Sequence, residues 1–295
     1  MFKTVMAHRA KLVEEHLLME LKKTPVIDEK LYNAMEYSSM SGGKRIRPIL
    51  LMAAVDAVDT PNIHGENFLT VASAIEMIHT YSLIHDDLPA MDDSDYRRGK
   101  LTNHKVFGEA TAILAGDALL TLAFEVLTRQ KNVKFHVMLE VIKELAIAAG
   151  AEGMVGGQSI DLESENKSVD LATLKKMHMG KTGAIFRASI RAGALLAHAN
   201  DKQLQNLTHY AENFGLAFQI TDDILDAIGD EKTVGKPIHS DEKNHKSTYV
   251  TLTSLDNAKT LANQAVQNAL DNIKDFGKNA DFLREIVKYL LERKK

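Results

Sequence analysis

The chain has 295 residues, of which 36 are Lys or Arg and 40 are Asp or Glu, and 45% of it is hydrophobic. A net charge of −4 gives no global pull towards nucleic acid or an anionic membrane, and the lack of Cys excludes disulfides and thiolate metal sites. Length alone would accommodate two domains, but only 17 Gly and 5 Pro interrupt ample apolar material, which favours one large all-α domain over residues 1–295.

From the N-terminus, Val5, Met6, Leu12, Val13, Leu17 and Leu21 follow a loose helical stripe. Lys3, Arg9, Lys11, Glu14 and Glu15 interrupt any secretory apolar region. Breakers follow at Pro25, Ser41-Gly42-Gly43 and Thr60-Pro61-Asn62. Residues 68–84 are apolar on almost every face, through Leu69, Val71, Ile75, Met77, Ile78, Tyr81 and Leu83, so this helix belongs at the centre of a bundle. Pro89, Gly99, Gly156-Gly157, Lys181-Thr182-Gly183, Gly229-Asp230 and Gly235-Lys236-Pro237 punctuate the rest. Near the C-terminus, Phe282, Leu283, Ile286, Val287, Leu290 and Leu291 form one stripe. Roughly ten helices lie between the breakers, with no convincing strand. No run of about 18 uncharged apolar residues spans a bilayer. The expectation is a cytoplasmic helical bundle around a cavity.

Two segments echo each other 136 residues apart, by 222 minus 86: His85-Asp86-Asp87 and Thr221-Asp222-Asp223, each ending an apolar helix. Asp222 and Asp226 are about 400° apart on a helix and share a face. Asp86 and Asp92 would diverge on a regular helix, but Pro89 cannot continue the hydrogen-bond ladder, and the bend can bring Asp92 back beside Asp86. Clustered carboxylates beside apolar helices call for a cation, and oxygen ligands without Cys select Mg²⁺. Cations answer them. Gly42-Gly43-Lys44-Arg45-Ile46-Arg47-Pro48 places three at a helix start, where Lys44 and Arg47, at i and i+3, can grip one diphosphate. Arg97-Arg98-Gly99-Lys100 follows the first acidic motif within one bend, and Lys181, Lys236 and Lys246 lie further on. Separate acidic and basic sites imply two phosphorylated substrates, one held through metal and one directly. Of the histidines, His79 can donate to a phosphate, His79 and His85 lie on the buried helix, and the other ten read as surface residues.

These motifs together resemble the trans-isoprenyl diphosphate synthases, most closely the bacterial farnesyl diphosphate synthases, from about residue 41 onwards. Gly-Gly-Lys-Arg-Ile-Arg-Pro, the first Asp-rich motif with a two-residue insertion and Arg-Arg-Gly, Lys-Thr-Gly, Gly-Gly-Gln and Phe-Gln-Ile-Thr-Asp-Asp-Ile-Leu-Asp carry the resemblance; Tyr96 and Ser94 depart from the usual Leu and Asp. The resemblance implies the isoprenoid synthase fold, a homodimer, and catalytic residues Asp86, Asp92, Arg97, Lys181 and Asp222. Three Mg²⁺ ions would be held by Asp86, Asp92 and Asp222, with Asp87, Asp223 and Asp226 supporting through waters. An allylic diphosphate would bind with Arg97, Lys181, Lys236 and Lys246, and isopentenyl diphosphate with Lys44, Arg47, His79 and Arg98. Thr182 and Gln219 would face the allylic carbons, Gln158 and Asp161 match a motif near the site, and Tyr81 with Ser82 would set product length at C15. The alternatives are a geranylgeranyl diphosphate synthase giving C20, a class I terpene cyclase, which needs no second diphosphate site, and a non-catalytic partner subunit, which tends to lose the Asp-rich motifs kept here.

Overall fold

The computed structural model describes residues 2–25, 27–165, 167–228 and 247–293. The chain divides into two compact units, Met1–Met52 with His64–Ile142, and Ala53–Ile63 with Lys143–Lys295.

The first unit is built on α1 (Phe2–Lys23), α2 (Glu29–Ser39), α4 (Leu69–Asp86) and α6 (Glu109–Thr128), with the short α5 (Asn103–Phe107) and the start of α3 (Ile46–Val58). The N-terminal stripe buries Val13, Leu17 and Leu21. The helix expected over 68–84 is α4, and it packs against α1, α2 and α6, burying Val71, Ile75, Met77, Ile78 and Tyr81 among others. Glycine sets the closeness of one contact: a methyl at Gly116 on α6 would sit 2.2 Å from His85 Nε2, and His85 Nε2 donates to Ile113 O at 3.0 Å. The C-terminal turn of α4 is thereby pinned against α6. Among the described residues α6 is the one helix long and apolar enough to cross a membrane by length and composition, although it carries Glu109, Asp117 and Glu125 and lays Ala112, Ala115 and Leu119 into the interior.

Among the described residues one small hairpin stands beside the expected helices. β1 (Tyr96–Arg97) pairs antiparallel with β2 (Lys100–Leu101), Tyr96 opposite Leu101. Arg98 at φ 53° and Gly99 at φ 75° turn the chain between them, the left-handed pair that a two-residue hairpin demands.

The second unit contains α8 (Met154–Ser164), α9 (Leu171–His178), α10 (Ala184–Leu196), α11 (Asp201–Ile228), α12 (Tyr249–Leu252), α13 (Leu255–Asn272) and α14 (Asp281–Glu292); α7 (Phe135–Ala149) runs across the division. α11 packs on α10, α13 and α14, and an edge-to-face pair of Phe186 and Phe214 rings, 5.2 Å apart, lies in this core. The C-terminal stripe is α14, which buries Leu283, Ile286, Val287 and Leu290. Two histidines expected at the surface are buried: His104, 6% exposed beside Thr102, and His178, 9% exposed against the Tyr249 ring. Tyr249 lies far from His178 in sequence, so composition carried no sign of that burial.

Candidate active site

In the first unit α4 ends at Asp86, and Pro89 forces the turn anticipated from the sequence. Asp92 N donates to Asp86 O at 2.9 Å, Asp93 N to Leu88 O at 3.1 Å and Ser94 N to Asp87 O at 3.2 Å. The bend therefore returns Asp92 beside Asp86, with Asp86 partly exposed and Asp92 exposed. Asp87 behaves differently. Its side chain is buried and holds Arg97, whose Nε donates to Oδ1 at 3.0 Å and to Oδ2 at 2.8 Å while Nη2 donates to Oδ1 at 2.8 Å. Burial raises the Asp87 carboxyl above its ordinary pKa against the pull of Arg97, and the carboxylates around Arg97 raise its own pKa despite burial. The resemblance implies support of metal through water for Asp87; in the structure its carboxylate is paired with Arg97.

The basic loop lies in the same unit. Gly42 at φ 84° and Gly43 at φ 127° reverse the chain, and α3 begins only at Ile46. Lys44 therefore precedes the helix and does not share an i, i+3 face with Arg47, which corrects the geometry expected for that pair. Arg45, at φ 50°, turns inward with no side-chain exposure. Its Nη1 donates to Glu76 at 2.6 Å, Nε to Glu14 at 3.1 Å and Nη2 to Ser39 O at 2.8 Å. With that anchor in place, Arg47 Nη1 donates to His79 Nε2 at 3.3 Å. Nε2 is thus the acceptor of a neutral imidazole, consistent with burial and the charges of Arg47, Arg98, Arg97 and Arg45 pushing the His79 pKa well below 6.5. Burial also pushes Arg47 down to about 10. Arg98 bonds Gly42 O, and a methyl at Gly43 would lie 2.7 Å from its guanidinium, so the glycine lets Arg98 close on the loop. Of the predicted second-substrate residues, Arg47, His79 and Arg98 come together here, with Lys44 on the adjoining loop.

Tyr81 lies on α4 above this turn, 5% exposed, its ring edge-on to His85 at 5.7 Å, and burial followed by the charge of Asp86 raises its hydroxyl to about 12. Ser82 donates its hydroxyl to His79 O at 2.9 Å, within its own helix.

In the second unit, Lys181 and Thr182 sit on a single π-turn, Met179–Gly183, between α9 and α10. Such turns push a peptide out of the regular ladder and recur at functional sites. Lys181 Nζ meets Asp161 Oδ2 of α8 at 2.6 Å. Gly157 permits that approach, because a methyl there would be 2.0 Å from Lys181 N. Gln158, one residue on, has a buried amide without a partner among the described residues. On α11 Asp222 is 42% exposed, while Asp223 and Asp226 are buried at 7% and 4%. Asp223 Oδ2 accepts from Tyr249 N at 2.7 Å, so it too has a structural task. Gln219 and Thr182 are partly exposed. Arg293, missed as a site residue, crosses α11: its Nη2 donates to Phe218 O and to Thr221 Oγ1, each at 2.8 Å, and reaches Asp222 Oδ1 at 3.5 Å, its guanidinium 4.3 Å from the Phe218 ring centroid. The only sequence signal was a basic C-terminus. Lys236 and Lys246 lie outside the described residues.

Among the described residues no group of three or more His, Asp or Glu side chains is arranged to hold a metal. The donors of the Asp86–Asp92 turn are oxygens on a partly exposed bend, which fits Mg²⁺, an ion that keeps waters and borrows substrate phosphates.

A polyprenyl synthetase family profile matches residues 28–290. A farnesyl diphosphate synthase of Geobacillus stearothermophilus is 50% identical over 263 residues, 88% of each chain. A geranylgeranyl diphosphate synthase of Cyanophora paradoxa is 44% identical over 98% of this chain and 96% of its own. The crystal structure of an FPP/GFPP synthase from Zymomonas mobilis superposes with a TM-score of 0.87 at 40% identity, covering 98% of each chain. Helices, motifs and relatives agree, and the chain belongs to the polyprenyl synthetase family.

Proposed function

We propose that this chain is a farnesyl diphosphate synthase, a prenyltransferase that condenses isopentenyl diphosphate head-to-tail with dimethylallyl and then geranyl diphosphate, releasing diphosphate at each step. The observation that carries the reading is the cluster of cationic Arg47 and Arg98 with neutral His79 behind the Gly42–Gly43 turn, present in addition to the acidic turn at Asp86 and Asp92. A terpene cyclase handles one diphosphate and has no use for a second anion site.

Bound at Asp86, Asp92 and Asp222, three Mg²⁺ ions would neutralise the departing diphosphate and so favour rupture of the allylic C–O bond. Arg97 and Lys181 grip that diphosphate directly, and Lys236 and Lys246 take the same role in this reading. Lys44, Arg47, His79 and Arg98 hold isopentenyl diphosphate so that its double bond is already aligned for attack on the allyl cation. Neutral His79 contributes a hydrogen bond without adding charge. The oxygens of Thr182 and Gln219 face the positive carbons, and the departed diphosphate takes the final proton. The uncharged wall of residues 77–84 on α4 keeps water from the cation.

Product length is read at Tyr81, whose ring lies five residues before Asp86, about 7.5 Å along the axis, and forms a floor beneath the growing chain. Ser82 is next to it. One prenyltransferase domain spans residues 1–295 in this reading, supported by a family match that runs through both compact units. The enzyme is cytoplasmic and homodimeric. Ile113 and Leu114 on α6, 44% and 57% exposed, offer an apolar face to a second copy.

Purified protein with Mg²⁺, isopentenyl diphosphate and dimethylallyl diphosphate is expected to give a C15 product on chromatography of the dephosphorylated alcohols. A C20 product would favour the geranylgeranyl synthase reading, and no chain elongation would refute prenyl transfer.

A further inference from the structure

We propose that Asp87 is a positioning residue for Arg97 and not a metal ligand: it fixes one edge of the guanidinium so that the opposite edge is presented to the allylic diphosphate. The inference rests on the reading above in which Arg97 binds that diphosphate. Both carboxylate oxygens of Asp87 are engaged by Nε and Nη2 of Arg97, at 2.8–3.0 Å. Among the described residues Nη1 has no hydrogen-bond partner, so the fork is filled on one side only. The side chain of Arg97 is 34% exposed while that of Asp87 is 4% exposed, which places the carboxylate behind the guanidinium.

The arginine is held at both ends. Its backbone is in the β1–β2 hairpin, opposite Lys100. Its tip is tied to the residue just past the C-terminal end of α4, and Ser94 N donating to Asp87 O at 3.2 Å fastens the intervening turn to the same residue. A two-point pair of this kind fixes the plane of a guanidinium, which a single contact leaves free to rotate. Asp86 and Asp92 stand apart in exposure: the first is partly exposed and the second exposed, while Asp87 is turned inward. The motif thus divides its work between outward carboxylates for a cation and an inward carboxylate for the arginine.

The test compares Asp87→Asn, Arg97→Lys, their double variant and Asp86→Asn. A non-reactive thiolo analogue of dimethylallyl diphosphate is titrated calorimetrically at saturating Mg²⁺, and the Mg²⁺ concentration for half-maximal turnover is measured separately. Asp87→Asn and Arg97→Lys are each expected to weaken analogue binding about 10- to 100-fold, the range seen when the partner of a binding group is removed. The double variant is expected to be no worse than the weaker single, and the Mg²⁺ half-point of Asp87→Asn to stay within about twofold of wild type. An Mg²⁺ half-point displaced in Asp87→Asn as far as in Asp86→Asn would overturn the proposal, as would additive losses in the double variant. Should Asp87→Asn fail to fold by thermal melting, unchanged analogue affinity in Arg97→Lys would overturn it alone. An Mg²⁺ half-point unmoved in Asp86→Asn would instead count against the metal assignment and leave the Asp87–Arg97 pairing to the calorimetric arms.

Discussion

Arg45 is the cation of the basic loop that never meets solvent, and replacing it by Met tests what that loop stands on. Its side chain has no exposure and Glu76 only 2%, with 2.6 Å between Nη1 and the Glu76 carboxylate. Removing one partner of a buried pair leaves a charge without compensation and costs about 3–5 kcal/mol. The bond to Glu14, whose side chain is 35% exposed, adds about 1 kcal/mol or less. Arg45→Met is therefore expected to lose about 3–5 kcal/mol in urea unfolding. Arg45→Met with Glu76→Met removes both charges and is expected to recover to within about 2 kcal/mol of wild type, because an apolar pair avoids the desolvation cost. Function separates from stability at this point. Both variants lose the hydrogen bond to Ser39 O that steadies the turn before Lys44, so the KM for isopentenyl diphosphate is expected to rise in both, even where stability has returned. Additive stability losses in the double variant, or a single-variant loss under about 1 kcal/mol, would refute the reasoning.

Three further outcomes are expected. Tyr81→Ala removes the buried floor and should lengthen the product beyond C15 on chromatography; unchanged C15 output would remove Tyr81 from the account of product length. Gly157→Ala places a methyl 2.0 Å from Lys181 N, so α8 and the π-turn must separate, and kcat should drop while far-UV circular dichroism stays helical; wild-type turnover would show that the spacing is unimportant. His79, held well below pH 6.5, stays neutral in the folded chain while the unfolded chain binds a proton below that pH. Stability should fall on acidification by up to about 1.4 kcal/mol per pH unit below pH 6, and equal slopes for wild type and His79→Gln would contradict this.

The helices were legible because burial imposes a period on them: the all-round apolar run is α4 and the C-terminal stripe is α14. The return of Asp92 to Asp86 was legible too, because Pro89 leaves the chain no helical option. The hairpin at Tyr96 was not, since strands of two residues carry no period and Arg98 in a left-handed conformation leaves no compositional mark. The π-turn at Lys181 was visible only as an interruption. Burial of Arg45 was hidden for a different reason. Its partners Glu14 and Glu76 lie 31 residues away on either side, and a run of three cations reads from sequence as one charged surface.

The paired aspartates show where such reading stops. Sequence presents Asp86-Asp87 and Asp222-Asp223 as equivalent repeats, each ending an apolar helix. Adjacent helical residues point about 100° apart, so at the rim of a core one of them must turn inward. A carboxylate turned inward is costly unless its oxygens are satisfied. Asp87 meets this demand with a guanidinium and Asp223 with the amide of Tyr249 at 2.7 Å. The outward members, Asp86 and Asp222, retain exposure. The same physics therefore yields an outward and an anchoring position from each pair, and it yields different anchors because each inner carboxylate takes whatever donor its own unit brings within reach. Doubling the aspartate adds one outward carboxylate and one tether, and each tether fixes a segment that returns to the acidic stretch of the chain.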